Sequence, residues 1–345
     1  MPASRLRYSA PMQAILAVTV PFFALVLCGY IAAQRRFIPE SAIPGLNGFV
    51  LFFALPCLLF RFGSSMPIAQ LIDPALIGVY LCSAVLMVMF TIAATLRHDE
   101  ERSGVGLRDA AFGALVAAFP NTGFMGVPML VAMLGEPAAG PIIGTVLVDL
   151  VFTSTLCLAI AQHQPLASDD TATRGFGTSA LRSLRGALTS PLPWAIALGA
   201  LLGASGMVLP APLAQVIKML GDAATPVALF TIGTVLWRAG QHSHAKTPLR
   251  QFLPVALFKL LIHPMLVLSL GLIARAMGVA VPAFGLLVMV LGAALPSASN
   301  VSLLAERYGA DNGRVARIIM ASTVLAFVSF TLLAWAFGVQ VQRRA

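Results

Sequence analysis

Apolar stretches of about twenty residues recur ten times along this chain, and no other feature restricts the possible folds as strongly. About twenty helical residues cross the hydrocarbon of a bilayer. The stretches cover residues 12–33, 44–63, 74–96, 110–133, 139–161, 191–209, 213–237, 251–275, 282–305 and 315–338. Of 345 residues, 59% are hydrophobic and 10% are charged. Soluble domains carry about 25% charged residues, so this chain has too few to cover a soluble surface. The pattern predicts an all-α integral membrane protein with ten transmembrane helices. The net charge of +9 does not point to nucleic acid, because no basic stripe with interleaved aromatics is present. Cys28, Cys57, Cys82 and Cys157 all lie in apolar segments with no paired spacing, so neither a metal site nor a disulfide is expected.

The basic residues fall mainly in short loops. Fourteen Lys and Arg lie on one side of the predicted spans and six on the other, with Lys218 and Lys259 inside spans. Cytoplasmic loops are the richer in Lys and Arg, so both termini are expected outside. The polar segment 162–190 reads as a cytoplasmic linker between two five-span halves, 12–161 and 191–338. The halves repeat. Pro21 and Pro191 are 170 positions apart, as are Pro56 and Pro226, while Pro120 and Pro296 are 176 apart. AFGALVAAFP at Ala111–Pro120 matches FGLLVMVLGAALP at Phe284–Pro296. Five spans is an odd number, so the second half enters the membrane inverted, a design common among secondary transporters.

The fourth and ninth spans are interrupted near their middles, at Pro120–Asn121–Thr122–Gly123 and at Pro296–Ser297–Ala298–Ser299–Asn300. Proline removes a donor and clashes with the preceding turn. In hydrocarbon such a break survives only inside protein or beside a wet cavity. Matched breaks in two halves are the best sequence pointer to a transporter's binding site. Each leaves a half-helix N-terminus at membrane depth, with free N–H groups and partial positive charge. Two such ends favour an anion, above all a carboxylate. The candidate substrate-binding residues are therefore Pro120, Asn121, Thr122, Gly123, Pro296, Ser297, Ser299 and Asn300.

Ionisable groups at membrane depth are costly and usually functional. Asp149, Asp222, Lys259 and His263 are candidates for coupling transport to protons or sodium. Lys218 and Asp222, four apart on one helical face, could pair. Gly199, Gly203 and Gly206 would allow close helix contact, including contact between protomers.

Four segments are similar to the auxin efflux carrier family of plants and prokaryotes, whose bacterial members include malonate transporters. They are PNTGFMGVPML at Pro120–Leu130, LPSASN with AERYGAD at Leu295–Asp311, LPCLLF at Leu55–Phe60 and LGDAATPVALFTIG at Leu220–Gly233. The resemblance implies two inverted five-helix repeats. It implies a scaffold of helices 1, 2, 6 and 7, able to pair two copies, beside a transport domain of helices 3–5 and 8–10. It implies that the broken helices cross at their prolines and bind an organic anion. The asparagine after the first crossover proline, here Asn121, would contact the substrate carboxylate. Ser297 stands at the equivalent second place, with Asn300 three residues on.

The expected function is secondary transport of a small organic anion, malonate or an auxin-like carboxylate, across a bacterial inner membrane. The alternatives are a cation-coupled bile-acid-type symporter or a sodium/proton antiporter of the same crossover design. An antiporter would place carboxylates beside the breaks, where this chain has Asn, Thr and Ser. The absence of GxxxxGK[ST], HExxH and GxSxG motifs argues against ATP drive and against an enzyme.

Overall fold

The computed structural model describes residues 10–67, 71–96, 105–162, 185, 189–241 and 247–339. Much of the 162–190 linker, and several loop and terminal arginines counted above, lie outside these residues.

Twelve helical pieces follow one another among the described residues. They are α1 (Ala10–Gln34), α2 (Glu40–Ser65), α3 (Pro74–Thr95), α4 (Leu107–Ala118), α5 (Thr122–Leu134) and α6 (Glu136–Gln162). Then come α7 (Pro191–Ser205), α8 (Ala211–Gln241), α9 (Leu249–Ala276), α10 (Ala283–Ala293), α11 (Val301–Arg307) and α12 (Asn312–Ala336). Seven of them, α1, α2, α3, α6, α8, α9 and α12, are long and apolar enough to cross a membrane. Three shorter apolar helices, α5, α7 and α10, accompany them. At 1.5 Å per residue, the 12 residues of α4 reach about 18 Å and the 11 of α10 about 16 Å, roughly half a bilayer core. Each break thus falls between two short helices, α4 and α5 at Pro120 and α10 and α11 at Pro296.

Local chemistry sets the ends. Asp73 caps α3, its Oδ1 accepting from the N–H of Ala75 and Leu76 at 2.9 and 3.1 Å, and Pro74 fills the first helical position. Gly206 ends α7 with φ 68°, which stops the sixth span at Ser205 rather than at 209. Single wide turns interrupt α2, α5, α6 and α9 at Val50–Ala54, Thr122–Gly126, Asp149–Thr153 and Phe258–Ile262. Three of these lie two residues before a proline, at Pro56, Pro128 and Pro264, whose missing N–H and ring displace the turn behind. The turn at Asp149 has no such proline.

The helices pack in two sets, with α12 touching α1 and α8 as well as α9. In one, α1 lies along α8, and the second part of α2 lies along α7 and α8. In the other, α3 packs on α4 and α9, and α9 packs on α10 and α12. The first group relies on glycines with no room for a Cβ. An added Cβ at Gly29 would lie 1.9 Å from the Phe230 carbonyl oxygen, and one at Gly233 would lie 1.9 Å from that of Val26. At Gly199 and Gly63 it would lie 2.3 Å from the oxygen of Phe60 and 2.7 Å from that of Ile196. Gly199 and Gly203 therefore face α2 of their own chain, while Gly206, with nothing within 4 Å of an added Cβ, serves as a helix terminator.

Small side chains also let α4 sit fully inside the second group, where every residue from Ala110 to Ala118 is buried. At one end of this group, buried Arg314 ties three helices. Its Nη1 donates to the Asp109 carbonyl at 2.7 Å and its Nε to that of Gln251 at 2.9 Å. Phe52, Phe53, Phe90, Phe152, Val324 and Val328 point outward, an apolar exterior suited to lipid.

Candidate functional site: the crossing of two broken helices

The prolines at the breaks deny the backbone its next helical bond, and the structure answers by pairing the two breaks. After α4 ends, Phe119 is extended and Asn121 leaves helical geometry, with φ −78° and ψ 53°. The amide of Asn121 donates to the Pro296 carbonyl at 2.8 Å, and that of Ala298 donates to the Phe119 carbonyl at 3.0 Å. These two bonds make an antiparallel bridge between Pro120 and Ser297. Groups that lipid would have left unsatisfied thereby satisfy each other. A third bond runs from the Ser297 amide to Ser322 Oγ of α12 at 3.2 Å.

The eight candidate binding residues lie together around this bridge. Asn121, Thr122, Ser297 and Ser299 are buried, while Gly123 and Asn300 are partly exposed. Helices α5 and α11 both start here; the Thr122 amide donates to the Pro120 carbonyl, and the amides of Val301, Ser302 and Leu303 turn back to the carbonyls of Ala298, Ser299 and Asn300. Two polar atoms beside it, Ser297 Oγ and Asn300 Oδ1, are buried without a hydrogen-bond partner. A cavity of about 30 Å³ adjoins the crossing, lined by Phe119, Asn121, Thr122, Gly123 and Asn300 with Leu51, Val146, Leu150 and Leu192. That is room for about two waters. Leu51 also lines a larger cavity of about 260 Å³ at the Glu40 end of the molecule, which reaches Asn47, Arg238, Ser302, Glu306 and Asn312. Arg238 Nε meets Glu40 Oε1 at its rim at 3.2 Å.

Three of the four ionisable candidates gather behind the crossing. Asp149 is fully buried, its Oδ2 accepting from Tyr80 Oη at 2.9 Å and its Oδ1 from Thr153 Oγ1 at 3.0 Å. Lys259, equally buried, donates from Nζ to the carbonyl of Ala293, the last residue of α10, and lies 3.4 Å from His263 Nδ1. With the ammonium as donor, the imidazole proton sits on Nε2, which is buried without a partner. Asp149 and Lys259 make no direct ion pair; each is held by other partners. Asp222 stands apart. It pairs with Arg61 Nη1 across helices at 2.6 Å, and the intrahelical pair expected with Lys218 does not form.

Residues 14–334 match the family described as membrane transport protein, which includes the auxin efflux carriers. The chain belongs to the auxin efflux carrier family. A relative named "Putative malonate transporter" in Rhizobium meliloti (strain 1021) is 29% identical over 332 residues, covering 93% of this chain and 95% of that protein. The Escherichia coli (strain K12) protein "Uncharacterized transporter YfdV" is 26% identical, with coverage of 90% and 93%. "Auxin efflux carrier component 8" of Arabidopsis thaliana is 23% identical, with coverage of 85% and 89%.

For this family member, sequence reasoning did not single out Tyr80, Thr153, Ser322 or the Ala293 carbonyl. A tyrosine in an otherwise apolar span was the one available sign of Tyr80. Hydroxyl residues bond readily to their own helix, so Thr153 and Ser322 carried no distinctive pattern.

Proposed function

We propose that this membrane transporter is a secondary carrier of a small organic anion, with a carboxylate such as malonate as cargo, working by alternating access. One observation carries this reading: the antiparallel bridge that holds both broken helices at a single point. It brings the N-termini of α5 and α11 to one place, and two such ends favour a carboxylate. The side chains around it, Asn121, Thr122, Ser297, Ser299 and Asn300, are neutral donors and acceptors. Neutral linings favour anion cargo over the sodium/proton antiporter. The larger cavity at the Glu40 end suits a conformation in which the site faces that side, the cytoplasmic one by the distribution of Lys and Arg.

The glycine contacts support the inverted repeat and the division into scaffold and transport domains. Gly29 meets Phe230 and Gly199 meets Phe60; Gly233 meets Val26 and Gly63 meets Ile196. Every partner in one contact lies 170 positions from its counterpart in the other. The contact of α1 with α8 is thus repeated by α7 with α2, as two inverted halves require. A dimer through the scaffold helices belongs to the same reading, with Trp194, Leu198 and Leu201 exposed on α7.

Uptake of labelled malonate into proteoliposomes tests the cargo. Asn121→Ala should lower the rate at least several-fold while the purified protein remains folded. Unchanged uptake removes Asn121 from the site. A thermal-shift screen of mono- and dicarboxylates, with and without sodium, identifies cargo and coupling ion together.

A further inference from the structure

We propose that Asp149 carries the coupling proton, and that Lys259 reports its charge to the crossing, so that one proton and one anion bind together. This deepens the carrier reading above and rests on it.

Three observations converge on Asp149. It lies in a wide helical turn that no following proline explains, and such turns are frequent at functional sites. Its two oxygens are held by hydroxyls of Tyr80 and Thr153, an arrangement that accepts a proton without rearranging the helix. Its neighbours Val146 and Leu150 line the cavity at the crossing, so Asp149 backs the wall of the proposed substrate site. The titratable groups around it are Tyr80 from α3, Cys157 further along α6 and Lys259 from α9, with His263 of α9 against Lys259 and the Tyr80 ring. Helix α10 carries no titratable residue, and those of α4 and α12 lie at their far ends around Arg314.

The coupling follows from charge balance. A buried carboxylate and a buried ammonium offset each other, while either alone is costly at membrane depth. When Asp149 takes a proton, its carboxylate becomes a carboxylic acid and no other bond breaks. The Lys259 ammonium then stands uncompensated. It is fixed to the Ala293 carbonyl, three residues before Pro296, at the edge of the crossing. A carboxylate arriving there restores neutrality. Proton and anion therefore raise each other's affinity, by thermodynamic reciprocity. A cation such as sodium would meet the ammonium instead.

A small cavity also lies beside Tyr80, the hydrogen-bond partner of the carboxyl. Its volume is about 10 Å³, and Asp73, Tyr80 and Thr145 line it on the Asp73 side of the Tyr80–Asp149 pair. It has room for about one water. That end is opposite the Glu40 end, where the larger cavity opens.

Infrared difference spectroscopy on the full-length protein in lipid tests the proposal. A carboxylic-acid C=O band that titrates with pH and disappears in Asp149→Asn is expected. Malonate, acetate and indole-3-acetate serve as probes. For any that binds, wild-type affinity should weaken by up to about tenfold per pH unit above the midpoint of that band. Asp149→Asn should keep the tight affinity at every pH. A band that survives Asp149→Asn, or probe binding that neither shifts the band nor depends on Asp149, overturns the proposal. If no probe binds at any pH, the cargo reading fails instead, and a missing Asp149 band would overturn the proton site separately.

Discussion

Replacing Lys259 by methionine keeps most of the side chain's volume and removes its charge, which isolates the electrostatic role of the buried cluster. Both Lys259 and Asp149 are fully buried. Removing one member of a buried ion pair costs about 3–5 kcal/mol, mainly because the other is left uncompensated, and for these two charges, which do not touch, the lower end applies. The lost charged hydrogen bond to the Ala293 carbonyl accounts for about 1.5–3 kcal/mol of that total. Three kilocalories is more than a hundredfold in the ratio of folded to unfolded protein, a change that thermal melts of detergent-purified protein resolve. The loss should shrink at acid pH, where Asp149 can take a proton, and grow as pH rises. Adding Asp149→Asn should recover the part due to the lone charge, leaving the double variant more stable than Lys259→Met. A coupling of about 2 kcal/mol in this cycle is expected. Additive losses, or a single variant as stable as wild type at every pH, would refute the assignment of the pair as one electrostatic unit.

Two further substitutions probe the frame. Gly233→Val should prevent α1 and α8 from docking, because its Cβ would lie 1.9 Å from a main-chain oxygen that cannot yield; Gly78→Ala, with nothing within 4 Å of its Cβ, should be tolerated, and monodisperse yield after detergent extraction compares them. Asp222→Asn breaks an ion pair whose members are 57% and 38% exposed, so it should cost less than about 1 kcal/mol and leave the pH dependence of transport unchanged, as read in the same proteoliposome assay.

The breaks were legible because proline, asparagine and serine crowd into spans that otherwise contain almost none. Their meeting was not legible from local pattern, since a bridge of one residue from each side has no periodicity; the matched position in two halves and the family resemblance pointed to it. The pair expected between Lys218 and Asp222 failed for a related reason. Spacing of four shows which residues share a face, but not that Arg61 of α2 would pack against that face. Glycine spacing in α7 likewise announced a close neighbour without saying whose it was. Tyr80 escaped because its role depends on α6, 69 positions away in sequence, and a lone tyrosine fits packing equally well.

The bridge at Pro120 and Ser297 is made from main-chain groups alone. Under the proposed carrier reading, substitutions among the surrounding side chains would therefore retune what is carried while the joint itself persists. A fastening independent of side-chain identity gives one architecture freedom to diversify its passengers, and it is compatible with relatives only 23–29% identical along nearly the whole chain whose names refer to malonate and to auxin.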